Sequence, residues 1–152
     1  MNKIIYLIFA LLICSVSFAD KNMKIGSKGK SSDVTRTIVV KMYDNYYEPN
    51  TFNIKKGETV KFEVKNLGEL VHEFNIANPM MHIKHQPEME LMVENEILLG
   101  DRIDKDKMQK MAAMDKSMGH SHSNSVLLAP KEEGILIWKF ENAVNIEIAC
   151  NV

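Results

Sequence analysis

The chain has 152 residues, 45% hydrophobic and 26% charged, with 19 basic against 20 acidic side chains and a formal net charge of −1. Such a balance argues against a polyanion partner, so nucleic acid is excluded as the expected ligand. The length suits one domain with a sizeable core.

The opening MNKIIYLIFALLICSVSFA joins one lysine, an apolar run from Ile4 to Ile13, and small residues at Ser17 and Ala19. That is the anatomy of a signal peptide over residues 1–19, cut before Asp20. The run is too short to span a bilayer. The expectation is therefore a periplasmic protein of a bacterial host, with no stable membrane anchor after cleavage. Ile13 disfavours lipidation of Cys14, because that reaction wants a small residue there. Once Cys14 leaves with the leader, Cys150 is the single thiol. An unpaired thiol in an oxidising compartment is buried inertly, paired between chains, or holding a metal.

Residues 20–35 are polar and read as a flexible arm, after which residues 36–152 read as one domain. TRTIVVKMYD alternates Ile38, Val40 and Met42 with Val39 and Lys41, a first strand. Beyond Pro49 and Gly57, Val60, Phe62 and Val64 alternate with charged neighbours, as in a strand with one wet face. In LVHEFNI the same period sets Leu70, His72, Phe74 and Ile76 on one face and Val71, Glu73 and Asn75 on the other. His72 is thus expected to point inward. Near the end, GILIWKFEN and NIEIAC read as two more strands, the second aligning Ile146, Ile148 and Cys150. Short strands joined by Gly, Pro and Asn turns predict an all-β, antiparallel Greek-key sandwich.

An insert at about residues 77–125 departs from this pattern. It holds eight of the eleven methionines and four of the five histidines. Met108, Met111, Met114 and Met118 fall on one helical face. Met108 and Met111 read as packing residues, whereas Met114, Met118, His120 and His122 form a cluster of soft and borderline donors suited to Cu(I). A solvated loop is the competing reading of GHSHS. His82 and His85 stand at a chelating spacing but beside Pro79 and Pro87, and stay outside the expected site.

Taken singly, an inward histidine reads as a core residue and an inward cysteine as a small hydrophobe. Together, on strands facing one interior, they are what a trigonal copper site of two His and one Cys requires. A metal-free sandwich with Cys150 as filler is the alternative. No nucleophile with its base and no paired carboxylates stand out, so an enzyme is not expected.

The stretch YYEPNTFNIKKGETVKFEVKNLGELVHEFNI, with GILIWKFENAVNIEIAC later, resembles the cupredoxins, the plastocyanin and azurin class, and most closely their periplasmic copper-binding members with a Met-rich insert. The resemblance implies copper, as Cu(I) and Cu(II), with His72 as the first ligand and Cys150 as the thiolate. Its pattern continues past the cysteine into Pro-Gly-His and a later Met. It therefore implies a longer protein whose copper loop and last strand follow Val152. A dinuclear copper site would need a second cysteine four residues after the first. Two functions are expected from this centre. One is a mononuclear electron carrier docking briefly to redox proteins; the other is copper storage or resistance, in which the Met/His insert binds Cu(I) and passes it to delivery partners.

Overall fold

A computed structural model describes residues 24–142 and 146–152. The leader expected at residues 1–19 lies outside the described residues. The strands are β1 (Ser27–Lys28), β2 (Arg36–Tyr43), β3 (Tyr46–Glu48), β4 (Thr59–Asn66), β5 (His72–Ala77), β6 (Leu98–Leu99), β7 (Arg102–Ile103), β8 (Ser125–Leu128), β9 (Glu133–Lys139) and β10 (Glu147–Ala149). Two α-helices, α1 (Pro79–Glu94) and α2 (Lys105–Ala112), lie between β5 and β8.

One sheet has the order β1-β9-β4-β2-β3 and faces a second of order β10-β5-β8. The expected β-sandwich is thus present, although β2 and β4 run parallel where antiparallel pairing was expected. The cause is connectivity: β2 turns back into β3 on one side, and the chain crosses over through residues 49–58 to place β4 on the other.

Alternation in β2, β4 and β9 fills the space between the sheets. Val40, Met42, Val60, Phe62, Val64, Leu136 and Trp138 are buried there with Phe74 and Ile76 from β5. The Phe62 and Phe74 rings stand 5.2 Å apart. Each such large side chain removed from water contributes about 1.5–3 kcal/mol. Residues 24–35 depart from the expected flexible arm. Ile25 is buried in this core, and β1 pairs with β9 through Ser27↔Lys139 and Lys28↔Trp138.

The insert is helical, but its longest helix begins earlier than the methionine spacing predicts. Asn78 caps α1, its side-chain oxygen accepting from the Met81 amide at 2.9 Å, and Pro79 follows at the first turn, where its missing N–H costs nothing. Pro87 lies inside the helix and removes one donor without ending it. Met89 and Met92 of α1 pack with Ile97, Leu98 and Met118 in a second core, against which Met108 and Met111 rest as expected. The predicted methionine face breaks after Ala112, because Asp115 caps a separate 3-10 turn over Lys116–Gly119. Met114 is consequently 81% exposed.

Because the insert lies over the second sheet, β5 is buried on both faces. Glu73 and Asn75, on the face opposite His72, are 0% and 3% exposed.

Candidate metal centre

His72 begins β5 and is buried, as its position in the alternation predicts. Cys150 follows β10, the strand that pairs with β5 through Ala149↔Asn75 and Ile148↔Ile76. This pairing brings the two side chains together, with Cys150 Sγ 3.7 Å from His72 Nδ1. The cysteine as a residue is exposed to solvent, which differs from the inward placement expected of it. Its sulfur nonetheless faces β5, where the backbone N–H of Glu73 donates to it at 3.4 Å.

The other ring nitrogen of His72 is anchored. Nε2 lies 3.0 Å from Asp44 Oδ1 in the β2/β3 turn. The same carboxylate accepts from the amides of Glu69 and Leu70 at 2.9 and 3.1 Å. The hydrogen bond from His72 leads in holding the Asp44 carboxyl below its ordinary value, so Asp44 is an acceptor. His72 therefore donates from Nε2, and its lone pair is on Nδ1, toward the sulfur. Tyr47 completes the wall, edge-on to the His72 ring at 6.2 Å, with its hydroxyl donating to the Glu73 carbonyl at 2.6 Å. Burial, assisted by the neighbouring Cys150, pushes the Tyr47 phenol far above its ordinary pKa and keeps it a donor.

These two donors fit a trigonal metal. With a sulfur bond of about 2.3 Å, an imidazole bond of about 2.0 Å and an angle of about 120°, two ligands stand roughly 3.7 Å apart. A cavity of about 510 Å³ opens beside them, lined in part by Tyr43, Asp44, Tyr47, His72 and Cys150.

The expected insert donors are divided. Met118 is buried in the second core and Met114 is exposed to solvent. His120 and His122 meet His85, which the prolines beside it keep out of the expected site, with ring centroids 4.8–5.4 Å apart. Glu73 Oε1 receives both His85 Nε2 and His120 Nε2 at 2.9 Å, and Asn151 donates to Oε2 at 2.7 Å. Burial pushes the Glu73 carboxyl up, but the bonds from His120, His85 and Asn151 outweigh it and hold the group well below its ordinary pKa. In return Glu73 raises His85. Outside this, His122 Nε2 reaches the Glu88 oxygens at 2.8 and 2.9 Å, and His85 Nδ1 lies 3.3 Å from Glu88 Oε2.

A family model described as a cupredoxin-like domain matches residues 3–102. The chain belongs to the cupredoxin-like family. The match carries His72 and stops before Cys150. This cupredoxin is 38% identical over 141 residues to the copper-resistant cuproprotein CopI of Pseudomonas aeruginosa, covering 84% of this chain and 74% of the relative. It is 26% identical over 132 residues to CopI of Rubrivivax gelatinosus, covering 86% and 66%. CopI of Vibrio cholerae matches over 99 residues at 25% identity, covering 65% and 45%. Among solved structures, the reduced auracyanin of Roseiflexus castenholzii superposes with a TM-score of 0.52 at 14% identity, over 78% of this chain and 86% of that one. Auracyanin B superposes with a TM-score of 0.52 at 11% identity, over 83% and 84%. At these identities the auracyanins speak for the shared fold alone.

Proposed function

We propose that this cupredoxin is an exported copper-resistance protein, binding copper through the thiolate of Cys150 and Nδ1 of His72. The observation that carries the reading is the 3.7 Å separation of these two donors, with His72 held through its far nitrogen by Asp44. A soft thiolate retains Cu(I), imidazole serves both oxidation states, and the metal is copper. Binding removes the thiol proton, and the Glu73 amide stabilises the resulting sulfur charge. The likeness to CopI supports resistance over the electron-carrier reading, which would use the same centre for brief docking to redox partners. Among the described residues, no helix is long and apolar enough to cross a membrane.

The test expresses the complete gene in a copper-sensitive bacterium, as wild type and as Cys150→Ser. The wild type is expected to raise copper tolerance and, when purified, to show an intense thiolate-to-copper absorption band. Cys150→Ser is expected to lose both. Tolerance and band that survive the change would remove the proposed centre.

A further inference from the structure

Apart from the thiolate centre, the described residues bring three imidazoles and two carboxylates together on the outer face of the second sheet. His85 and Glu88 come from α1, Glu73 from β5, and His120 and His122 from the segment before β8. Two observations separate this cluster from a solvated histidine loop. Glu73 is wholly buried, and a carboxylate without water must be compensated by its neighbours. The compensation here is two imidazole nitrogens converging with the Asn75 amide on one oxygen and the Asn151 amide on the other, with no lysine or arginine among its hydrogen-bond partners. His120, in turn, adopts a left-handed backbone with φ 42°, a conformation that costs a non-glycine residue free energy. It does so at the turn that carries its ring to Glu73.

We propose that Glu73, His85 and His120 form a second metal site, selective for Cu(II) and separate from the thiolate centre. One carboxylate oxygen and two imidazole nitrogens lie within 4.8 Å of one another. Nitrogen and oxygen donors of this kind suit divalent first-row ions, and Cu(II) heads their affinity series. To bind the ion each imidazole frees its Nε2 lone pair: the hydrogen that bridges it to Glu73 goes to water from a protonated ring and moves to Nδ1 in a neutral one. Glu88 supports His85 from its other nitrogen, the outer-shell contact that orients a metal-bound imidazole. His72 and Glu73 are consecutive on β5, so one strand sends a ligand to each centre.

This site stands independently of the thiolate centre, and the test separates them. Protein carrying Cys150→Ser, which removes the thiol that could reduce Cu(II), is titrated with Cu(II) against a glycine buffer. Bound copper is counted and its electron paramagnetic resonance recorded. One equivalent with nitrogen hyperfine structure is expected. His120→Asn, a side chain that tolerates the left-handed backbone, is expected to weaken that equivalent at least tenfold, and His85→Gln to do the same. Thermal melts identify which variants retain the parent fold. Overturning results would be no bound Cu(II) in Cys150→Ser, or an equivalent undiminished in a folded His120→Asn or His85→Gln protein. The thiolate band of the Cys150 protein is read apart from this, so failure here leaves that centre standing.

Discussion

Replacing Gly68 by alanine tests whether Asp44 sets the copper-binding form of His72. A Cβ at this position would lie 2.2 Å from Asp44 Oδ1 and 3.0 Å from His72 Nε2. To restore even the closest contact a real Cβ makes, Asp44 must retreat by 3.0 − 2.2 = 0.8 Å. Because Cβ, Oδ1 and Nε2 form a triangle of sides 2.2, 3.0 and 3.0 Å, a retreat directly away from the Cβ stretches the 3.0 Å bond to His72 to about 3.4 Å, the weak limit of a hydrogen bond. The bonds from the Glu69 and Leu70 amides loosen with it. A bond to His72 so stretched holds the proton less firmly on Nε2, and weakening such an outer-shell contact lowers metal affinity toward the roughly 10–100-fold that accompanies its loss. Overpacking costs about 1–3 kcal/mol, offset by ~0.4–1 kcal/mol because alanine restricts the unfolded chain. Melting should fall by only a few degrees, leaving the affinity change interpretable. Competition for Cu(I) with a chromophoric chelator measures it. Gly100→Ala is the control, since its Cβ meets nothing within 4 Å. A folded Gly68→Ala protein with copper affinity within twofold of wild type would refute the reasoning.

The loop that presents Gly68 depends on Asn66, which is wholly buried, donates to the carbonyls of Leu70 and Leu128 at 2.8 and 3.0 Å, and accepts from the Gly68 amide. Asn66→Ala is expected to cost about 2–4 kcal/mol in urea unfolding, because it leaves buried partners unsatisfied; a loss under 1 kcal/mol on the scale of one ordinary hydrogen bond contradicts this. For the metal-free protein, the depressed Glu73 carboxyl contributes stability that is present above its ordinary value of 4.5 and lost as pH falls through the folded value. The raised His85 contributes stability that is present below 6.5 and lost as pH rises through its folded value. Melting temperature should therefore peak between these limits, and Glu73→Gln should flatten both limbs; a wild-type profile without a maximum there argues against the coupling.

The sandwich and the front of the centre are legible in the sequence because their signals are local. Period-two patterns in β2, β4 and β9 identify the core, and the same pattern turns His72 toward it. Pairing of β10 with β5 then brings Cys150 to the Nδ1 side. Asp44 is invisible at that level, since an aspartate before Asn45 in a tight turn reads as a turn residue. Glu73 is hidden for another reason. Alternation assigns it to the face opposite the core, and only the insert packed on that face makes it a buried carboxylate. His85 is obscured by its two prolines, although Asn78-Pro79 is itself a helix-start signal. Extending the methionine period through Met114 overreaches because Asp115 starts a new turn, and a three-four spacing does not register that break.

The pairing Asn75↔Ser125 places the end of β5 beside the start of β8. In plain terms these two strands are a hairpin whose loop has grown to contain two helices. Lengthening such a loop costs little closure entropy, roughly 0.6 kcal/mol for each doubling. A tight turn could accordingly splice Ala77 to Ser125 without disturbing the thiolate centre, and the excised segment could be grafted onto the matching hairpin of a bare sandwich. The recipient strand would have to carry a glutamate immediately after its copper-binding histidine, because without that carboxylate the transplanted His85 and His120 have no shared partner.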